Sequence, residues 1–114
     1  MPSSNFKENQ MILTTTSHIE GQKISKYFGI VSGETILGAN VFRDIGASWR
    51  NFVGGRAKAY EASLREAKEL AINDIMAQAS SLGANAIIGM RLDYETVGTG
   101  MLMVTVSGTA VLIE

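Results

Sequence analysis

Three features of the sequence predict an α+β fold, an antiparallel sheet packed on one long helix. Apolar residues recur at three- and four-residue steps from Ala57 to Leu82, the period of a helix with one buried stripe. β-branched and aromatic runs lie on both sides of that stretch, and the last of them alternates with period two. Glycines punctuate the boundaries, at Gly54-Gly55, Gly83 and Gly98-Thr99-Gly100. The predicted order is strand, bent strand, short helix, long helix, strand, strand.

The first strand is the β-prone run Met11 to Thr16, ended by the polar stretch Ser17 to Gly21. Ile24 to Val41 reads as one long strand bent by a bulge at Ser32-Gly33, since glycine inside a strand commonly marks such a bend. Phe42, Ile45, Trp49 and Phe52 then fall at helical spacing and predict a short amphipathic helix over Phe42 to Val53.

In the long helix, Tyr60, Leu64, Ala67, Ala71, Ile75, Ala79 and Leu82 form the apolar stripe. Glu61, Arg65 and Glu69 make a charge ladder on the other side. Gly83 ends the helix, because it accepts the left-handed conformation without steric cost. In Ala86 to Glu95, Ile88, Met90, Leu92 and Tyr94 are assigned to one face and Arg91, Asp93 and Glu95 to the other.

Met101 to Ile113 has two faces. Leu102, Val104, Val106, Ala110 and Leu112 suit the underside of the helix. Met101, Met103, Thr105, Ser107, Thr109, Val111 and Ile113 make a second face that is uncharged throughout. A single helix layer covers one side of a sheet, so a second copy of the chain is the simplest cover for the other. Met101, Met103, Thr105, Val111 and Trp49 are therefore the expected oligomer contacts.

The 114 residues suit one domain over residues 11–114, with residues 1–10 expected to be a disordered N-terminal tail. Hydrophobic residues make up 46% and charged residues only 18%, against roughly 25% charged in an average domain. That imbalance also points to buried subunit contacts. Ten Lys and Arg against eleven Asp and Glu leave a net charge of −1, so nothing here would neutralise a nucleic-acid backbone. No apolar run approaches the ~20 residues of a membrane-spanning helix, and the first ten residues lack the apolar core of a signal peptide. A cytoplasmic location is expected, with no nucleic-acid or membrane partner.

Several blocks together resemble the YbjQ-like family, also called the putative heavy-metal-binding domain family. They are Gly29-Ile30-Val31-Ser32-Gly33-Glu34, Leu37-Gly38-Ala39-Asn40-Val41-Phe42-Arg43-Asp44, and Gly54-Gly55-Arg56 with Ala59-Tyr60-Glu61. Leu82-Gly83-Ala84-Asn85-Ala86-Ile87 with Leu92-Asp93-Tyr94-Glu95 follow, then Met101-Leu102-Met103-Val104 running into Ser107-Gly108-Thr109-Ala110-Val111. The resemblance implies a dodecin-like α+β subunit that closes into rings, with five copies, and a function still unsettled. It brings no catalytic residues.

The chain has one histidine and no cysteine. Soft metals prefer thiolate or imidazole ligands, and structural zinc sites typically use four, so one chain cannot assemble that set. A divalent or heavy metal would need copies of His18, or of Asp93 and Glu95, converging from several subunits. Gly54-Gly55-Arg56 opens the long helix, where backbone N–H groups and the helix dipole favour an anion, with Arg43 as a further cation. A plain turn explains the same residues. Asp93 and Glu95 share one strand face and could act as paired carboxylates, although a solvated face or ion pairs between subunits explain them better. One loop-borne histidine supports no nucleophilic triad. The leading expectation is a non-catalytic ring with a small-molecule pocket between subunits. The alternatives are a metal-binding ring and an enzyme with a shared site around Arg43, Arg56, Asp93 and Glu95.

Overall fold

A computed structural model describes residues 11–38, 55–97 and 101–114, with the backbone alone over residues 55–60. The described elements are β1 (Ile12–Leu13), β2 (Ile24–Leu37), α1 (Gly55–Ser81), β3 (Ala86–Thr96) and β4 (Leu102–Ile113). The four strands form one sheet in the order β1-β3-β4-β2. β4 pairs antiparallel with both β2 and β3, whereas β1 runs parallel to β3. The sheet is therefore mixed, not purely antiparallel as expected. A long connection separates β1 from β3, and such a connection permits parallel pairing where a tight hairpin would not.

The expected short helix over Phe42 to Val53 lies outside the described residues, as do the tail 1–10 and the turn Gly98-Thr99-Gly100. Among the described residues there is one helix, so the described order is β-β-α-β-β. The β3–β4 hairpin is closed at its base by Val97, whose N–H donates to the Met101 carbonyl at 2.8 Å.

The long helix runs as its stripe predicts. Ala67, Ala71, Ile75 and Ala79 are buried, and Leu64, Ile72 and Met76 flank them partly buried. Leu82 lies just past the helix end and is exposed. Gly83 has φ +96°. Its N–H donates to Ser80 O at 3.0 Å, and that of Ala84 donates to Ala79 O at 3.1 Å. This pair of bonds is the Schellman termination, which satisfies carbonyls the helix would otherwise leave open. Glu61, Arg65 and Glu69 are exposed as expected, but no ion pair forms along the ladder.

The buried part of the stripe is three alanines and one isoleucine, so the helix lies close to the sheet. The approach is closest at Gly33, where a Cβ would sit 2.9 Å from Ile75 N and 3.1 Å from Ala71 C. Gly33 is thus a close-approach glycine and not the expected bulge. The β2–β4 register runs unbroken through Val31, Ser32 and Gly33, and its irregularities fall at Ile24/Lys26 and Tyr27/Gly29. β2 is one continuous strand, bent nearer its start. The helix-side core joins Val31, Leu37, Ile87, Val104, Val106 and Ala110 to the helix stripe.

One extra residue in β3, next to Gly89 at φ +60°, shifts the β3–β4 register between Ile88 and Arg91. A bulge of this kind resets the alternation of side chains. Leu92 and Tyr94 pair with Val106 and Val104 on the helix side, whereas Ile88 pairs with Thr109 on the opposite side. Ile88 therefore does not share a face with Met90, Leu92 and Tyr94, as strict alternation had assigned it.

The second sheet face is partly covered from within the chain. Ala86, Ile88, Val111 and Ile113 form a small buried cluster against Ile19 and Ile24. The segment between β1 and β2 thus does at one end of the sheet what a second copy was expected to do everywhere. Asn85 fixes the same end: its side-chain amide donates to Ile113 O at 3.0 Å, and its Oδ1 accepts from Ile113 N at 2.8 Å.

Candidate functional site

α1 packs chiefly on β2, less on β4, and barely on β3. Gly33 causes this offset by drawing the helix onto the β2 side of the sheet. A cleft of about 450 Å³ remains over β3, lined by Leu13, Thr14, Lys68, Ile72, Met90 and Leu92 among others. A second recess of about 240 Å³ shares Lys68 and extends past Leu64 and Arg65 to Tyr94, with Glu61 as its one acidic residue. Leu92 and Tyr94 stay exposed on this helix side, Tyr94 by 51%.

Among the described residues, nothing covers the distal half of the opposite face. Cross-strand rows run Ile30–Thr109–Ile88, Ser32–Ser107–Arg91, Glu34–Thr105–Asp93 and Ile36–Met103–Glu95. Ile30 is 86% exposed and Ile36 is 54% exposed. Hydroxyls line the centre of this face and isoleucines stand at the edge strand. Arg91 and Asp93, two residues apart on β3, form the one ion pair among the described residues, at 3.4 Å.

The expected metal ligands are not brought together within one chain. His18 lies in the segment after β1, exposed, with its Nδ1 3.2 Å from Ser17 Oγ. It lines a shallow cavity of about 510 Å³ with Ile12, Thr14, Thr16, Ile19 and Glu20. Thr16 O accepts from Gly89 N, which fixes that segment beside the β3 bulge. Asp93 is four residues further along the strand, roughly 13 Å at β-strand rise. Asp93 and Glu95 do share the open face, paired with Thr105 and Met103. Among the described residues no three of His, Cys, Asp and Glu cluster as a metal site.

Gly55 is the first residue of α1, and Arg56 lies in its first turn. Gly54, Arg43 and Trp49 lie outside the described residues. Of the expected oligomer contacts, Met101, Met103 and Thr105 are partly exposed. Val111 is 0% exposed within the single chain and has no surface to offer a partner. The cleft over β3 is not among the sites expected from the sequence. Its one signal is the Ala-rich stripe facing a glycine in β2, which places the helix to one side.

Among the described residues, one helix on a four-stranded mixed sheet, with a cleft on one side and a half-open face on the other, defines a small α+β domain. A family model described as "Putative heavy-metal-binding" matches residues 11–114, and the chain belongs to this YbjQ-like family. It is also similar to a crystal structure of a protein of unknown function from Pediococcus pentosaceus ATCC 25745, which belongs to the DUF74 family. The two are 21% identical, with 91% of this chain and 98% of that chain covered and a TM-score of 0.48. The donor set described above does not fit a heavy metal held by one chain.

Proposed function

We propose that the protein is a non-catalytic, ring-forming homo-oligomer of five copies that holds a small ligand, working in the cytoplasm. The observation that carries this reading is the half-open sheet face. Ile30, Ile36 and Met103 flank a row of hydroxyls there, and among the described residues the chain's own segment covers only the other end. Exposed apolar surface rimmed by polar residues is a common mark of an interaction site. The carboxylates and Arg91 at the β3 side suit a polar rim.

Native mass spectrometry of the purified protein tests the reading, because it reports copy number and any retained small molecule together. A five-copy mass supports it; a single 12.2 kDa chain at working concentration contradicts it.

The family description favours a second reading, in which metal ligands converge from several copies. His18, Asp93 and Glu95 are the residues this chain could contribute. Stoichiometric zinc or cadmium uptake, lost on His18→Ala or Asp93→Asn, would select this reading over the first.

A further inference from the structure

We infer that the cleft between α1 and β3 binds a small amphiphilic carboxylate. Its acid head is held by Lys68, and its apolar body lies on Ile72, Met90 and Leu92. The cleft is built from one chain's residues, so the inference stands whether or not the ring forms.

Size comes first. About 450 Å³ falls within the range of small-molecule sites, and the second recess shares Lys68 with it. Such sites are mostly apolar with a few placed polar groups, and Leu13, Ile72, Met90, Leu92 and Val106 supply the apolar floor and walls here. Thr14 and Thr15 bring hydroxyls, of which Thr14 Oγ1 is already engaged with Thr16 at 2.8 Å.

Charge selects the occupant. Lys68 and Arg65 bring positive charge to the two recesses against the single acid Glu61; Arg91 borders the first, but its side chain belongs to the opposite sheet face. Arg91 is paired with Asp93, whereas Lys68 is half-buried and makes no ion pair among the described residues. A cationic ligand would meet repulsion from Lys68. A neutral apolar one would cover the ammonium group without a counter-charge, and burying an unpaired charge is costly. An anion with an apolar body satisfies both surfaces. A bare inorganic anion would leave the apolar floor exposed to water.

Calorimetry on the full chain tests this with octanoate, octylammonium and acetate, and 2-naphthoate separates an aryl from an alkyl body. Methyl NMR of Ile72 and Leu92 locates the site. At least one of the two amphiphilic acids binds once per chain, at least tenfold tighter than acetate or octylammonium, and shifts the Ile72 and Leu92 methyls. Lys68→Gln weakens that binding about tenfold or more, the size of a lost charge-assisted contact; Lys68→Arg restores it, and Ile72→Trp, which fills the cleft, abolishes it.

Equal binding of octylammonium, no effect of Lys68→Gln, or methyl shifts confined to Ile30 and Ile36 would each overturn the inference. So would Lys68→Gln or Ile72→Trp changing the mass of the assembly without changing acid affinity, since the cleft would then be a contact between copies.

Discussion

Gly33 of β2 lies directly against the backbone of α1 at Ala71, with no room between them for a side chain. This one contact sets the geometry of both candidate surfaces. It holds the helix over β2 and β4, which leaves β3 uncovered on the helix side and opens the cleft beside Lys68. It also commits the only described helix to one face of the sheet, so among the described residues the other face is covered only by the segment around Ile19.

Gly33→Ala should therefore be strongly destabilising. The added methyl meets backbone, which cannot swing aside as a flexible side chain could, and overpacking of this kind costs about 1–3 kcal/mol or more. Urea unfolding of the two proteins measures the loss. A change within about 0.5 kcal/mol, the usual range of a neutral surface substitution, would show that the helix does not sit where the structure places it.

The bulge at Gly89 makes a separate prediction. Its φ of +60° is a left-handed conformation in which a Cβ costs roughly 1–2 kcal/mol, although the space around it is open. Gly89→Ala should lose about that much, and Gly89→Asn should lose less because asparagine tolerates this region. Equal stability of all three proteins in thermal unfolding would argue for a regular strand without the bulge.

Asn85 acts as a short extra strand for Ile113, exchanging two hydrogen bonds with its backbone. Asn85→Ala removes both partners from a part-buried site, at about 1–3 kcal/mol. Hydrogen exchange should speed up first at Ile113 N–H, with Val104 and Val106 protected as before. Uniform loss of protection along β4 would mean that Asn85 matters to the whole sheet and not to its end.

Much of this architecture was legible in the sequence, and the misreadings share a cause. The alanine stripe and Gly83 located the long helix and its end, because helix period and C-capping are local signals. The two faces of β4 were equally plain from period two, and Met103 and Thr105 lie where that alternation puts them. Register is not local. The extra residue beside Gly89 moved Ile88 to the other face, and no local pattern distinguishes a bulge glycine from the close-approach glycine at position 33. The parallel pairing of β1 with β3 and the folding of Ile19 over Val111 depend on contacts far apart in the chain. The cleft escaped notice for the same reason, as its walls come from β1, α1, β3 and β4.

For metal, calorimetric titration of the protein with zinc and with cadmium at neutral pH should give no stoichiometric site in a single chain. The described donors are too few and too far apart: His18 lies near the bulge and Asp93 well along β3. Tight one-to-one uptake by a demonstrably monomeric chain would contradict this.

The half-open sheet face is most directly tested by sedimentation velocity on the unaltered chain beside Ile36→Lys. Ile36 is exposed on the edge strand, so the substitution should leave the fold and its circular dichroism intact. The unaltered chain should sediment as a ring, and the variant should dissociate towards 12.2 kDa. A lone 12.2 kDa particle before any substitution, or a ring that Ile36→Lys leaves whole, would contradict it.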